Sequence, residues 1–214
     1  MAAVRHVAVV DIGKTNAKVA LVDLDRLAEV AVRKTANCPV AGTPYRHHDV
    51  EMLWTFILDS LKELGGGQKI DAISVTTHGA TAVLLDADGS LALPVLEYED
   101  EGPGTLRGAY DAIRPKFEET GSPPLQNGLN LGAQLFWQSR TFPDAFSRVA
   151  TILTYPQYWG SRLTGAMASE VTSLGCHTDL WNPDRGDFST LVDHLAWRDF
   201  FPPLQPASAR LGTL

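Results

Sequence analysis

One stretch near the start, Val9-Val10-Asp11-Ile12-Gly13-Lys14-Thr15-Asn16-Ala17-Lys18, constrains this chain more than any other. The apolar run before Asp11 reads as a buried strand, and an acidic residue at the end of such a strand is costly without a partner. Asp11 is therefore expected either to bond to its own turn or to face a cation. Gly13 permits a close turn whose backbone N–H groups can converge on an anion. Thr15 and Asn16 add side-chain donors, and Lys14 and Lys18 add positive charge. The arrangement fits a phosphate-binding hairpin, with a polar hairpin that binds nothing as the alternative. The spacing is not GxxxxGK[ST], and a second strand follows where a P-loop would place a helix, so a Walker-type loop is excluded.

Composition narrows the partners. With 214 residues, 44% of them hydrophobic, the chain can bury a sizeable core as one globular domain. A net charge of -7 argues against a general nucleic-acid surface. No run approaches the roughly 20 apolar residues of a membrane span, and the start lacks the layout of a secretion signal, so a cytoplasmic protein without membrane partners is expected. Cys38 and Cys176 have no metal-binding spacing and read as reduced thiols.

Strands are expected first. His6 to Asp11, Ala17 to Asp23 and Leu27 to Thr35 read as a meander. Between Asp49 and Leu64 apolar residues recur at spacings of three and four, which predicts a helix capped by Asp49 and stopped at Gly65-Gly66-Gly67. Ile70 to Thr77, Ala82 to Leu85 and Leu91 to Leu96 follow as strand candidates, with a turn at Asp86-Ala87-Asp88-Gly89. The second half turns helical: Arg107 to Glu119, Gly132 to Arg140, Pro143 to Ala150, Pro156 to Leu163 and Thr190 to Phe200. The proline-rich stretch Phe201 to Pro206 and the tail to Leu214 read as a segment leading onward.

Two further clusters carry polar chemistry. Ser74-Val75-Thr76-Thr77-His78-Gly79 would present hydroxyls and an imidazole at a strand's C-terminal end, where α/β folds place ligands. A hydrogen-bonded turn histidine is the plainer reading. Leu96-Glu97-Tyr98-Glu99-Asp100-Glu101 is a carboxylate-rich loop, a composition that usually marks a solvated segment. Trp54, Trp137, Trp159, Trp181 and Trp197 are packing residues by default, with Trp137 and Trp181 the two to watch. Cys176 and His177, adjacent in sequence, are not suited to sharing one metal and have no nucleophile partner.

Taken in order, these segments resemble the FGGY carbohydrate kinases. The hairpin resembles the first phosphate motif of the superfamily that joins sugar kinases with actin and the heat-shock ATPases, with Lys14 where Thr is common. Ile152-Leu153-Thr154-Tyr155-Pro156-Gln157-Tyr158-Trp159-Gly160-Ser161-Arg162-Leu163-Thr164-Gly165 looks like the family's Pro-Asp-Tyr-x-x-x-x-Leu-Thr-Gly signature, with Gln157 in place of its Asp. Glu170 to Gly175 looks like the segment after it. The chain departs at Gly102, where the family usually has Arg two residues after the loop aspartate.

The resemblance spans essentially the whole chain and implies an α/β fold: an actin-like ATPase (ribonuclease H-like) lobe, a mixed sheet with flanking helices. It implies residues 1–214 as the N-terminal sugar-binding lobe of an ATP- and Mg²⁺-dependent kinase, nearest to those acting on rhamnulose and fuculose. Asp11 would be the metal residue, Asp11 and Lys18 catalytic, and Gly13, Lys14, Thr15 and Asn16 the phosphate cradle. His78, Gly79, Tyr98, Asp100 and Gln134 would face the sugar. The catalytic base would be an Asp beyond Leu214, followed by the adenine-binding lobe, so this stretch alone would be inactive and prone to self-association, with a homodimer one outcome. A non-catalytic sugar-binding or regulatory protein on the same scaffold is the alternative.

Overall fold

Alternation decides the first element. Ala8, Val10 and Ile12 are wholly buried while Val7, Val9 and Asp11 are half-buried, the period of two that a strand with one core face requires. The structure, a computed structural model, describes residues 3–214 and divides into two units. The first holds the described residues up to Val40 together with His48–His78.

In it β1 (His6–Ile12), β2 (Asn16–Asp23) and β3 (Ala28–Ala36) form the expected meander, followed by α1 (Val50–Gly65) and β4 (Ala72–Thr77). The sheet order is β3-β2-β1-β4. β1 is antiparallel to β2 and parallel to β4, so the sheet is mixed. Helix α1 begins where Asp49 accepts from the Met52 N–H at 2.9 Å, as expected of its cap. It packs against β2 and β3 and buries Leu53, Ile57, Leu61 and Leu64. Each such burial stabilises by about 1.5–3 kcal/mol.

The second unit holds Ala41–His47 and Gly79–Leu214. β5 (Ala82–Leu85) pairs antiparallel with β6 (Thr151–Thr154). Around this pair lie α2 (Arg107–Asp111), α3 (Phe117–Thr120), α4 (Leu131–Thr141), α5 (Pro143–Phe146), α6 (Tyr155–Thr164), α7 (Val171–Leu174), the short ribbon β7 (Trp181–Asn182) and β8 (Asp187–Phe188), and α8 (Thr190–His194). Leu84, Leu96, Leu131, Leu135, Ile152 and Leu191 centre its core. Trp137 and Trp181 both belong to that core.

Several helical expectations shorten. Arg107 to Glu119 splits into α2 and α3 around Pro115, which disfavours helical backbone at Arg114. The helix expected to reach Phe200 ends at His194, and Ala196 turns left-handed at φ 54° before a short 3₁₀ turn over Arg198–Phe200. α5 stops at Phe146, short of Ala150. Leu91 to Leu96 is no strand: it makes only single bridges, Leu91 to Leu85 and Leu96 to His47, with Pro94 between them. β6, β7 and β8 were not expected.

Candidate functional site

The turn between β1 and β2 is closed by the Gly13 N–H, which donates to the Asn16 carbonyl at 2.9 Å. A side chain at position 13 would have its Cβ 3.1 Å from that same oxygen, so the close turn favours glycine. The Gly13 N–H is thus committed within the turn, and the glycine's part in the expected phosphate cradle is to permit that turn. The Thr15 N–H has no acceptor in the chain among the described residues. The Thr15 hydroxyl accepts from the Asn16 amide at 3.0 Å.

This turn opens onto a concavity of about 430 Å³ lined by Asp11, Gly13, Thr15, Asn16, Lys18 and Lys34. Lys14 is not among the lining residues. Asp11 sits beside Lys18 in the β1–β2 register and beside Thr76 in β4. No hydrogen bond from the chain reaches its carboxylate among the described residues, which leaves an acceptor-only group open to a cation. Lys18 donates to Glu29 at 2.9 Å. That bond, with Asp11 adding to it, holds the Lys18 ammonium above its ordinary value, so it stays charged. Lys34, directly across from Lys18 in the β2–β3 register, has no ion-pair partner among the described residues. It was not foreseen, because only the register brings a residue sixteen positions later to the same rim.

These residues suit a phosphate with its metal. No group of three or more His, Cys, Asp or Glu able to hold a metal ion occurs among the described residues. A single carboxylate suits Mg²⁺ when water and phosphate supply its other ligands, and the two lysines and the Thr15 N–H suit the phosphate itself.

Of the residues expected to face a sugar, His78 lies in the first unit, where β4 ends. Its N–H donates to the Ile12 carbonyl at 2.8 Å, and its ring lies 5.2 Å from that of the buried His48. Gly79, Tyr98, Asp100 and Gln134 belong to the second unit. Gln134, wholly buried on α4, gives its amide hydrogens to the Ala80 and Gly128 carbonyls, and its oxygen has no partner among the described residues. Gly128 in turn donates to the Tyr98 carbonyl at 3.0 Å, so Gln134 and Tyr98 are tied through one residue. Asp100 caps its own loop: its oxygens accept from the N–H groups of Gly102 at 2.9 Å and Arg46 at 3.3 Å.

The departures in sequence have local explanations. A Cβ at position 102 would stand 2.3 Å from the Trp137 indole, so that ring fills the space where another residue's side chain would begin. Gln157 accepts from the Thr154 hydroxyl at the start of α6 and so keeps a side-chain bond there without a charge. Glu170 caps α7 through the Thr172 and Ser173 N–H groups at 2.8 and 3.1 Å. Burial raises its carboxyl, but these bonds and the Thr172 hydroxyl bring it below the ordinary range.

Beside the exposed Cys176, the His177 carbonyl accepts from Asn130 at 3.1 Å, which makes this loop a packing element. Asp179, wholly buried, accepts from Tyr110 at 2.7 Å and from Arg114 at 2.8 and 2.9 Å. That network had no signal in the sequence, since Asp179 lies sixty-five or more positions from both of its partners.

A family model described as the FGGY family of carbohydrate kinases, N-terminal domain, matches residues 6–214. The chain is similar to a carbohydrate kinase from Novosphingobium aromaticivorans, with 38% identity and a TM-score of 0.90 over 98% of this chain and 44% of that one. A xylulose kinase from Rhodospirillum rubrum shares the fold at 24% identity and a TM-score of 0.81, over 97% of this chain and 45% of that one. Glycerol kinase of Plasmodium falciparum, solved with ADP, shares it at 16% identity and a TM-score of 0.81, over 98% and 44%. The chain thus spans less than half the length of these solved structures. Among the described residues no helix is long and apolar enough to cross a membrane.

Proposed function

The chain belongs to the FGGY family of carbohydrate kinases, its fold being that of their N-terminal actin-like lobe, and on that premise we propose that it serves the ATP-dependent phosphorylation of a ketose or deoxy-ketose. The observation that carries the reading is the concavity at the first hairpin, where the Asp11 carboxylate, the Thr15 N–H and Lys34, none of them with a hydrogen-bond or ion-pair partner among the described residues, share one rim. MgATP supplies the transferable phosphoryl group and a cation that offsets its charge. The chain's own groups then have separable tasks. Asp11 would hold the cation through water, Thr15 and Asn16 would donate to the terminal phosphate oxygens, and Lys18 and Lys34 would stabilise charge on the group in transfer. On the sugar side the resemblance assigns His78, Gly79, Tyr98 and Asp100, with Gln134 acting through the Gly128 segment that it holds. A rhamnulose- or fuculose-like acceptor is the narrower form of the proposal, and a cytoplasmic setting, where ATP is supplied, goes with it.

The test is Asp11→Asn in the native polypeptide, assayed for MgATP-dependent phosphorylation of L-rhamnulose, L-fuculose and D-xylulose. Loss of turnover by at least about a hundredfold with the fold intact is expected, the scale on which single charge-stabilising groups act. Turnover within a factor of about three of the parent would reject the role of Asp11.

A further inference from the structure

Asn37, the residue just past β3, is 1% exposed, and it is bonded twice to the phosphate hairpin. Its backbone N–H donates to the Thr15 carbonyl at 2.9 Å, and its side-chain amide donates to the Gly13 carbonyl at 2.7 Å. Its own amide oxygen is buried and has no partner among the described residues. An orphaned buried acceptor costs about 1–3 kcal/mol, which offsets what the amide's bond to Gly13 contributes, so stability alone gives little reason for an amide here. What only the amide supplies is the second tether.

The two carbonyls it holds alternate along the hairpin with the donors proposed to face phosphate. A carbonyl oxygen free to rotate toward an anion would repel it, and would carry the adjoining N–H away from it. We infer that Asn37 is a positioning residue for nucleotide phosphate: by tethering the Gly13 and Thr15 carbonyls to the β3 side, it keeps the hairpin's open donors aimed into the concavity. The inference rests on the phosphate reading above. It adds a residue that no sequence motif marks, twenty-four positions from Gly13.

The experiment compares Asn37→Leu and Asn37→Asp with Asp11→Asn in the native polypeptide, measuring KM for MgATP, KM for the sugar and the thermal midpoint. Asn37→Leu removes the side-chain tether and the orphaned oxygen together. Its thermal midpoint is expected to hold or rise while KM for MgATP increases about 3- to 10-fold and KM for the sugar does not change, the scale of one lost hydrogen bond. A merely structural residue would lower the midpoint and shift both constants alike. Asn37→Asp keeps the shape but faces the Gly13 carbonyl with an acceptor, so it should raise KM for MgATP at least as much, and it decides the matter if the leucine variant does not fold. If Asp11→Asn abolishes turnover while both Asn37 variants leave KM for MgATP within twofold, the positioning role is wrong and the phosphate site stands. If Asp11→Asn is silent as well, the phosphate reading itself has failed.

Discussion

A glycine two residues past Asp100 is fixed by the ring of a neighbour. The Trp137 indole is 7% exposed and is wedged between Tyr45, at 5.5 Å between ring centroids, and Phe142, at 5.3 Å, so it has little room to yield. A methyl group at position 102 would overlap three of its atoms, at 2.3 to 2.7 Å. Gly102→Ala is therefore expected to destabilise by about 1–3 kcal/mol, the usual cost of overpacking a filled core. Gly102→Arg should do so at least as strongly. Pairing Gly102→Ala with Trp137→Phe, which withdraws the outer ring, should cost less than the sum of the two single changes. Urea unfolding of the four proteins measures this directly. A Gly102→Ala variant within about 0.3 kcal/mol of the parent, or strict additivity in the pair, would mean that the ring moves freely and does not dictate the glycine.

At the scale of elements, β1 and β4 enter the sheet side by side because Asp71 ties their first residues together. Its carboxylate accepts from the N–H groups of His6 and Arg5, each at 3.0 Å, and pairs with Lys69 at 3.1 Å. Those bonds, the His6 N–H first, bring its carboxyl from an ordinary 3.8 down to about 2. Because the folded value is the lower one, the stabilisation is complete above 3.8 and is lost as the pH falls toward about 2. Asp71→Asn should flatten the fall in stability over that window. Denaturant unfolding at pH values from about 5 down to 2 reads it out, and equal slopes for variant and parent would remove Asp71 from the account. Elements of this kind were the legible part of the sequence. The meander, α1 with its Asp49 cap, and the span of α6 all rest on periodicity and local capping, which a chain states over a few residues. The Arg107 to Glu119 helix failed because Pro115 and the demand of Asp179 on Arg114 outweighed propensity. The site divides in the same way. Asp11, Gly13, Thr15, Asn16 and Lys18 sit in one contiguous motif, whereas Lys34 and Asn37 reach it through the β2–β3 register. Register is a property of paired strands, and no short window of sequence displays it.

For the whole molecule the question is which chemistry residues 1–214 carry. Each unit has its own apolar interior, α1 against the meander in one and the Leu84, Leu135 and Ile152 cluster in the other. The chain covers 44% of the Novosphingobium kinase that it resembles at 38% identity, and the resemblance assigns the catalytic base and the adenine-binding lobe to the remainder. On the function proposed above, in-line phosphoryl transfer would divide into a cation carboxylate, phosphate donors and sugar contacts on this stretch and a proton acceptor elsewhere in the native polypeptide. General-base assistance contributes typically about 10²–10⁴ in rate, and loss of the nucleotide lobe would reduce occupancy as well. Residues 1–214 expressed alone are expected to phosphorylate L-rhamnulose, L-fuculose or D-xylulose at least about a thousandfold more slowly than the native polypeptide, while still giving a sugar-dependent shift in tryptophan fluorescence. Coupled ADP release and a fluorescence titration measure the two properties separately. Turnover within about tenfold of the native polypeptide would place the base inside this stretch and move the search to the carboxylates already on it, with Glu97 first, since it is buried and both its oxygens lack partners.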